Sequence, residues 1–158
     1  MSNDSGNHWQ VSRALPINTD IKCIASVGPV LLAGTSGDGI YRSMDTGKTW
    51  LPVNTGLSSK NIQGMAVMGA TYYALTDAGI FRTSDAGENW ISCFNHVAQS
   101  DDRFLIAYQD TLYLATDSVI RLSADSGNTW SDISNGIKSR RLSALFRNPY
   151  SFLAGTLS

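Results

Sequence analysis

The sequence predicts an all-β protein built from about four copies of one small four-stranded sheet, and three observations carry that expectation. Nearly the same eight residues recur at Ser43 to Trp50, at Thr83 to Trp90 and at Ser123 to Trp130, and in worn form at Ser2 to Trp9. Trp9, Trp50, Trp90 and Trp130 are all the tryptophans of the chain, and they are separated by 41, 40 and 40 residues. Between these boxes the apolar residues alternate with period 2, and helical periodicity is nearly absent. Short antiparallel strands repeated at this spacing, each sheet covering its apolar faces with its neighbours, are the pattern of propeller blades. A β-sandwich is the plainer alternative. It does not need the same residue at the same phase, whereas here Ile40, Ile80 and Ile120 are in phase, as are Thr76, Thr116 and Thr156 and the pair Tyr73 and Tyr113.

The elements follow in order from those patterns. Trp9 to Val11 reads as a strand after the first box, followed by Ile21 to Val27, Val30 to Gly34, Gly39 to Arg42 and, past the second box, Trp50 to Val53. The next cycle repeats this with Ile62 to Met68, Thr71 to Thr76, Gly79 to Arg82 and Trp90 to Phe94. The third has Phe104 to Tyr108, Thr111 to Thr116, Val119 to Leu122 and Trp130 to Ile133, and Leu142 to Phe146 and Phe152 to Thr156 come last. Joins such as Asn54-Thr55-Gly56-Leu57 and Asn135-Gly136-Ile137 separate the cycles, because Gly and Asn break strand pairing.

The box itself is readable as a self-built turn. Asp4, Asp45, Asp85 and Asp125 each stand two residues before Gly6, Gly47, Gly87 and Gly127. A carboxylate there folds onto nearby backbone N–H groups, and the glycine takes the positive φ of a tight turn. Ser43, Thr83 or Ser123 before the Asp, and Thr49 or Thr129 before the Trp, add hydroxyls to the same network, while the tryptophan is expected to bury its ring under the hairpin. These aspartates read as scaffold. One carboxylate per turn makes neither a metal cluster nor a catalytic pair, so no metal and no cofactor is expected.

Composition agrees with one folded domain or propeller fragment over residues 1–158: 42% of residues are hydrophobic and 16% charged. No apolar run approaches the roughly 20 residues of a spanning helix, so no membrane partner is expected. A net charge of −1 gives no footprint for nucleic acid. Met1 to Gln10 is polar and shows no signal peptide, which leaves a cytoplasmic location and processed export both open. Cys23 and Cys93 lie in apolar strands and read as buried free thiols, and His8 and His96 share no ligand spacing with them. No nucleophile elbow, phosphate loop or CxxC motif occurs.

The pattern Ser-x-Asp-x-Gly-x-Thr-Trp, complete at Ser43 to Trp50 and Ser123 to Trp130, resembles the Asp-box or bacterial neuraminidase repeat of sialidases, sortilin-type receptors, xyloglucan hydrolases and photosystem II assembly factors. The run from Ala33-Gly34-Thr35 through Gly39-Ile40-Tyr41-Arg42-Ser43 is most similar to the non-catalytic bacterial members. Thr83, Asn89 and His8 depart from the pattern, and weaker local contacts are expected there. The resemblance implies that the boxes lie on the outer rim, between third and fourth strands, and that ligands meet the opposite face. That face would carry Asp38, Asp77, Asp117, Asp101, Asp102, Arg103, Arg140 and Arg141, with Asp20, Lys22, Lys60 and Asn61.

A sialidase needs a Glu-activated Tyr nucleophile, and the chain's one glutamate, Glu88, sits inside a box. An inverting glycosidase with two aspartates is the alternative, since Asp38, Asp77, Asp101, Asp102 and Asp117 would share a face. The expected function is a non-catalytic binding or assembly module with a protein or carbohydrate partner. Thr156 is in phase with Thr116 and Met1 with Leu122, so the chain falls three residues short of four repeats. Open sheet edges invite another chain, and a homodimer through the terminal blades is expected.

Overall fold

The computed structural model describes residues 4–9, 15, 19–95, 104–116, 119–137 and 142–156. Over these residues the protein is all-β, in three four-stranded antiparallel sheets and a final hairpin. The first sheet is β1 (Ile21–Val27), β2 (Val30–Thr35), β3 (Ile40–Ser43) and β4 (Leu51–Pro52). The second is β5 (Ile62–Met68), β6 (Thr71–Thr76), β7 (Gly79–Thr83) and β8 (Ile91–Phe94). The third is β9 (Phe104–Tyr108), β10 (Thr111–Ala115), β11 (Ile120–Ser123) and β12 (Ser131–Asp132). The hairpin is β13 (Leu142–Arg147) and β14 (Phe152–Thr156). Each sheet follows sequence order, and β1 adjoins β5, β5 adjoins β9, and β9 adjoins β13. The first strands therefore line the inner side and the fourth strands the rim. This is a run of propeller blades, and the ring is not closed.

The core lies in the seams between blades. Leu32 and Ile40 of the first sheet meet Ile62, Tyr72, Ala74, Phe81 and Trp90 of the second. Ala66, Tyr73, Leu75 and Ile80 meet Leu105, Leu112 and Leu114 of the third. Ala115 and Ile120 meet Leu145 and Phe152 of the hairpin. Second strands are sealed by both neighbours, so β6 is buried from Tyr72 to Thr76. Burial of each large apolar side chain is worth roughly 1.5–3 kcal/mol, so a blade without its neighbour loses most of its driving force.

The tryptophans depart from the expectation of uniform burial. Trp90 is 3% exposed and Trp9 76%, while Trp50 and Trp130 are half-buried. Trp50 and Trp130 donate their indole N–H to the Gly47 and Gly127 carbonyls of their own boxes, both at 3.1 Å. Trp90 instead reaches back across the seam to the Val53 carbonyl at 2.9 Å, and its backbone N–H donates to Thr55 at 2.8 Å. Gly56 permits that approach, since a Cβ there would lie 2.1 Å from the Trp90 carbonyl oxygen.

The fourth strands also start one residue later than expected, and β4 and β12 are only two residues long. Asn54 and Ser134 side chains accept the Ile40 and Ile120 N–H groups at 2.7 and 2.9 Å just past those strands. Phe94 stands at this phase in the second blade and cannot accept. There β8 continues through a bulge at Cys93, and the Phe94 ring packs tilted against Trp130 at 5.3 Å, under the Arg121 guanidinium. Of the expected strand Trp9 to Val11, only Trp9 lies within the described residues, and it is not in a strand.

Candidate functional site

The rim is made of the boxes, each joining third strand to fourth. Thr46 (φ 59°) and Gly47 (φ 87°) are consecutive left-handed residues, and Ala86–Gly87, Ser126–Gly127 and Ser5–Gly6 repeat the pair. These φ values match the central positions of a type I′ turn. A non-glycine residue in this region costs roughly 1–2 kcal/mol. The Asp side chain offsets that by collecting donors. Asp45 accepts the Ser43 hydroxyl at 2.8 Å, the Thr49 N–H at 2.8 Å and the Thr49 hydroxyl at 2.6 Å. Asp125 accepts Ser123 and Thr129 with the same geometry.

The departures from the pattern keep these bonds. Asn89 donates its side-chain amide to Asp85 at 3.0 Å, and the His8 ring nitrogen lies 2.5 Å from Asp4. Contacts expected to weaken are instead supplied by other donors. Hydrogen bonds to the charged form hold the Asp45, Asp85 and Asp125 carboxyls down at about 2. The largest contributions come from the hydroxyls of Thr49, Thr83 and Thr129 respectively. Such carboxylates are consumed by their turns and are poor proton shuttles. Glu88 pairs with Arg42 at 2.7 Å, and Arg42 and Arg82 donate to the Ala86 and Ser126 carbonyls of the next box at 3.2 and 2.6 Å.

The opposite face is formed by the β2–β3 and β6–β7 turns and by the entries to the first strands. Thr35 and Thr76 clasp these turns, donating to the Gly39 and Gly79 carbonyls at 2.7 and 2.9 Å and accepting the Asp38 and Ala78 N–H groups. Thr76 was visible in the sequence as in phase with Thr116 and Thr156; the role as a clasp, shared with Thr35, was not. Asp38 and Asp77 sit on these turns, exposed. Asp101, Asp102, Arg103, Asp117, Arg140 and Arg141 lie outside the described residues.

Asp20 and Lys22 form an ion pair at 2.8 Å. The first seam is closed by backbone bonds from Gly37 and Gly39 to Lys60, while Ser36 donates to Asp20 within the first blade. Beside it opens a cavity of about 370 Å³ lined by Lys22, Ser36, Asn61, Ile62 and Gln63. A second cavity, of about 350 Å³, lies on the box rim and includes Tyr73, Arg82, Asp85 and Ser126. Among the described residues no three His, Cys, Asp or Glu side chains gather as a metal site. Cys23 and Cys93 are free, and burial pushes both thiols up to about 11, far from the thiolate range of a nucleophile.

No protein-family model and no curated protein matches the chain. Solved structures share its fold. YCF48 bound to D1 peptide superposes with a TM-score of 0.72 at 16% identity, over 90% of this chain and 50% of that one. The computationally designed Ika4 protein gives 0.73 at 14%, over 94% of this chain and 93% of that one. The GH74 xyloglucanase from Xanthomonas campestris gives 0.53 at 16%, over 78% and 20%. The chain thus belongs with β-propellers in fold. It spans about half the length of YCF48 and a fifth of the xyloglucanase.

Proposed function

We propose that the chain is a non-catalytic module of Asp-box propeller blades that holds a protein partner on the face opposite the boxes. One observation carries this: equivalent positions are spent differently on the two sides. Every described box repeats one hydrogen-bonded turn, whereas on the opposite face the entries to the first strands set different polar side chains, Lys22 and Gln63, at equivalent places. Scaffold repeats and recognition varies, a division seen when function is grafted on a fold. The D1 peptide held by YCF48 favours a protein partner over other classes. The likeness to a GH74 xyloglucanase favours a second reading, in which Asp38 and Asp77 are the acid and base of an inverting glycosidase. The test is incubation with xyloglucan and sialosides, alongside binding to immobilised glycans. The expected outcome is no turnover; hydrolysis lost in Asp38→Asn would overturn the module reading.

The open blades support a second copy as one partner. Ile24 is 62% exposed, although Met65, Leu105 and Leu145 at the same phase all pack against the preceding blade. Phe146 and Leu153, paired across the last hairpin, are 55% and 58% exposed, although Ala66 and Tyr73 at that phase are buried against the following blade. One chain therefore carries both halves of one more seam. Two copies, each seating its Ile24 face on the other's Phe146–Leu153 face, would make a ring of twice as many repeats. Light scattering should give twice the mass of one chain, reduced to a single mass by Phe146→Asp. A monomer at all concentrations would refute the dimer.

A further inference from the structure

We propose that the cavity at the first seam binds the backbone of an extended, uncharged peptide segment. This rests on the protein-binding reading above and assigns it a place. The starting observation is a repeated irregularity. Between Ile21 and Cys23, between Ile62 and Gly64, and between Leu142 and Ala144, the first strand holds one residue more than its partner. A bulge interrupts the ladder and re-aims the side chain of the extra residue. The extra residues are Lys22 and Gln63, and Ser143 holds the same backbone register position. The geometry repeats while the chemistry changes, which is the reverse of the boxes, where the chemistry repeats as well.

Two of these bulge residues, Lys22 and Gln63, line the same cavity, with Ser36 and Asn61 beside them and Ile62, fully buried, beneath. The local backbone is already committed. Ser36 and Asn61 pair as an isolated antiparallel bridge, the Ser36 N–H donates to Asp20, and the Gly37 and Gly39 N–H groups donate to Lys60. Side chains are what remain for an incoming group. Among the described residues the Gln63 side-chain oxygen is buried without a hydrogen-bond partner, so burial has cost it water and these residues supply no donor in return.

A peptide group answers that inventory. Its N–H satisfies the Gln63 oxygen, and its C=O accepts from the Asn61 amide or the Lys22 ammonium. Asp20 neutralises Lys22 at 2.8 Å, which favours an uncharged segment over a phosphate or a carboxylate. Among the described residues no aromatic ring lines the cavity, so a sugar would find no face to stack on there. The volume, about 370 Å³, is at the small end of ligand pockets and suits a few backbone atoms with small side chains.

The experiment uses an immobilised library of twelve-residue peptides as the probe, screened with the whole chain and with Gln63→Ala, Asn61→Ala and, on the exposed box rim, Met44→Ala. Peptides retained by the parent should bind Gln63→Ala and Asn61→Ala at least tenfold more weakly and Met44→Ala equally well. Thermal melting separates binding from folding. Gln63→Ala removes an unpartnered buried oxygen, so its Tm should equal or exceed the parent's, whereas a structural Gln63 would lower it. Retained peptides indifferent to Gln63→Ala and Asn61→Ala would overturn this site and leave the protein-binding reading standing. A chain that retains no peptide but binds an immobilised glycan panel would overturn both, and retention of nothing on either surface overturns the site.

Discussion

The rim and the face opposite it are built from the same repeat, yet they tolerate change in different ways. On the rim, Thr49, Thr129, Asn89 and His8, three residue types, each place a donor on one carboxylate oxygen of the preceding Asp. Variation there is filtered for a single hydrogen bond. On the opposite face, Lys22 and Gln63 share a backbone bulge and no chemistry. Internal repetition thus acts as a control within one chain: what stays constant maintains the blade, and what varies at fixed geometry is released for recognition.

The sharpest break of this comparison is expected at Trp90. Trp90→Ala should cost about 3–5 kcal/mol in denaturant titration, because it removes a buried ring and leaves the Val53 carbonyl unpaired. Trp50→Ala, half-buried on its own box, should cost about 1–2 kcal/mol, and Trp9→Ala should fall within about 0.5 kcal/mol of the parent. Equal losses at the three sites would mean that the boxes are energetically alike.

Next in size is a pair of glycines with nearly the same φ, +91° at Gly56 and +90° at Gly136. Both strain a side chain, but only at Gly56 does a Cβ strike backbone. Gly56→Ala is expected to lower the Tm several degrees further than Gly136→Ala, corresponding to a difference of at least about 1 kcal/mol.

The acid limb of stability sharpens the rim side. The Asp45, Asp85 and Asp125 carboxyls are held at about 2, below the ordinary 3.8. Depressed carboxylates stabilise the fold above the unfolded value and lose that contribution as pH falls toward 2. Stability should therefore decline between about pH 4 and pH 2, and Asp125→Asn should flatten the decline. A Tm that stays level over that window would remove the turns from the account of acid stability. The smallest effects belong to the opposite face: Asp38→Asn and Asp77→Asn should shift stability by less than about 0.5 kcal/mol.

Much of the blade is legible in the sequence. β1, β5, β6, β9 and β14 occupy the expected residues, because period-2 alternation ends at Gly or polar turns there. The inequality of the tryptophans was not legible, since the burial of Trp90 depends on a carbonyl 37 residues earlier and on Gly56 leaving room for it. The bulges escaped for another reason. An extra residue breaks the alternation by one step, and a polar residue between apolar ones, as at Lys22, reads as ordinary strand. Of the eight acidic and basic candidates for the ligand face, Asp38 and Asp77 are described and stand exposed on equivalent turns.

The seams are fastened unequally, and cooperativity should follow them. The first is crossed by the Trp90 indole and backbone, by Arg42 to Ala86, and by the Tyr72 hydroxyl to the Val30 carbonyl at 3.0 Å. Among the described residues the third is joined by apolar packing of Ala115 and Ile120 on Leu145 and Phe152 and by ring contacts, Tyr113 on Phe152 at 4.9 Å and Arg147 over Tyr108 at 5.1 Å. In a linear array whose units stabilise only their neighbours, opening begins where coupling is weakest. Amide exchange should therefore release the β13–β14 hairpin first, while blades one and two exchange together as one unit, only when the whole array unfolds.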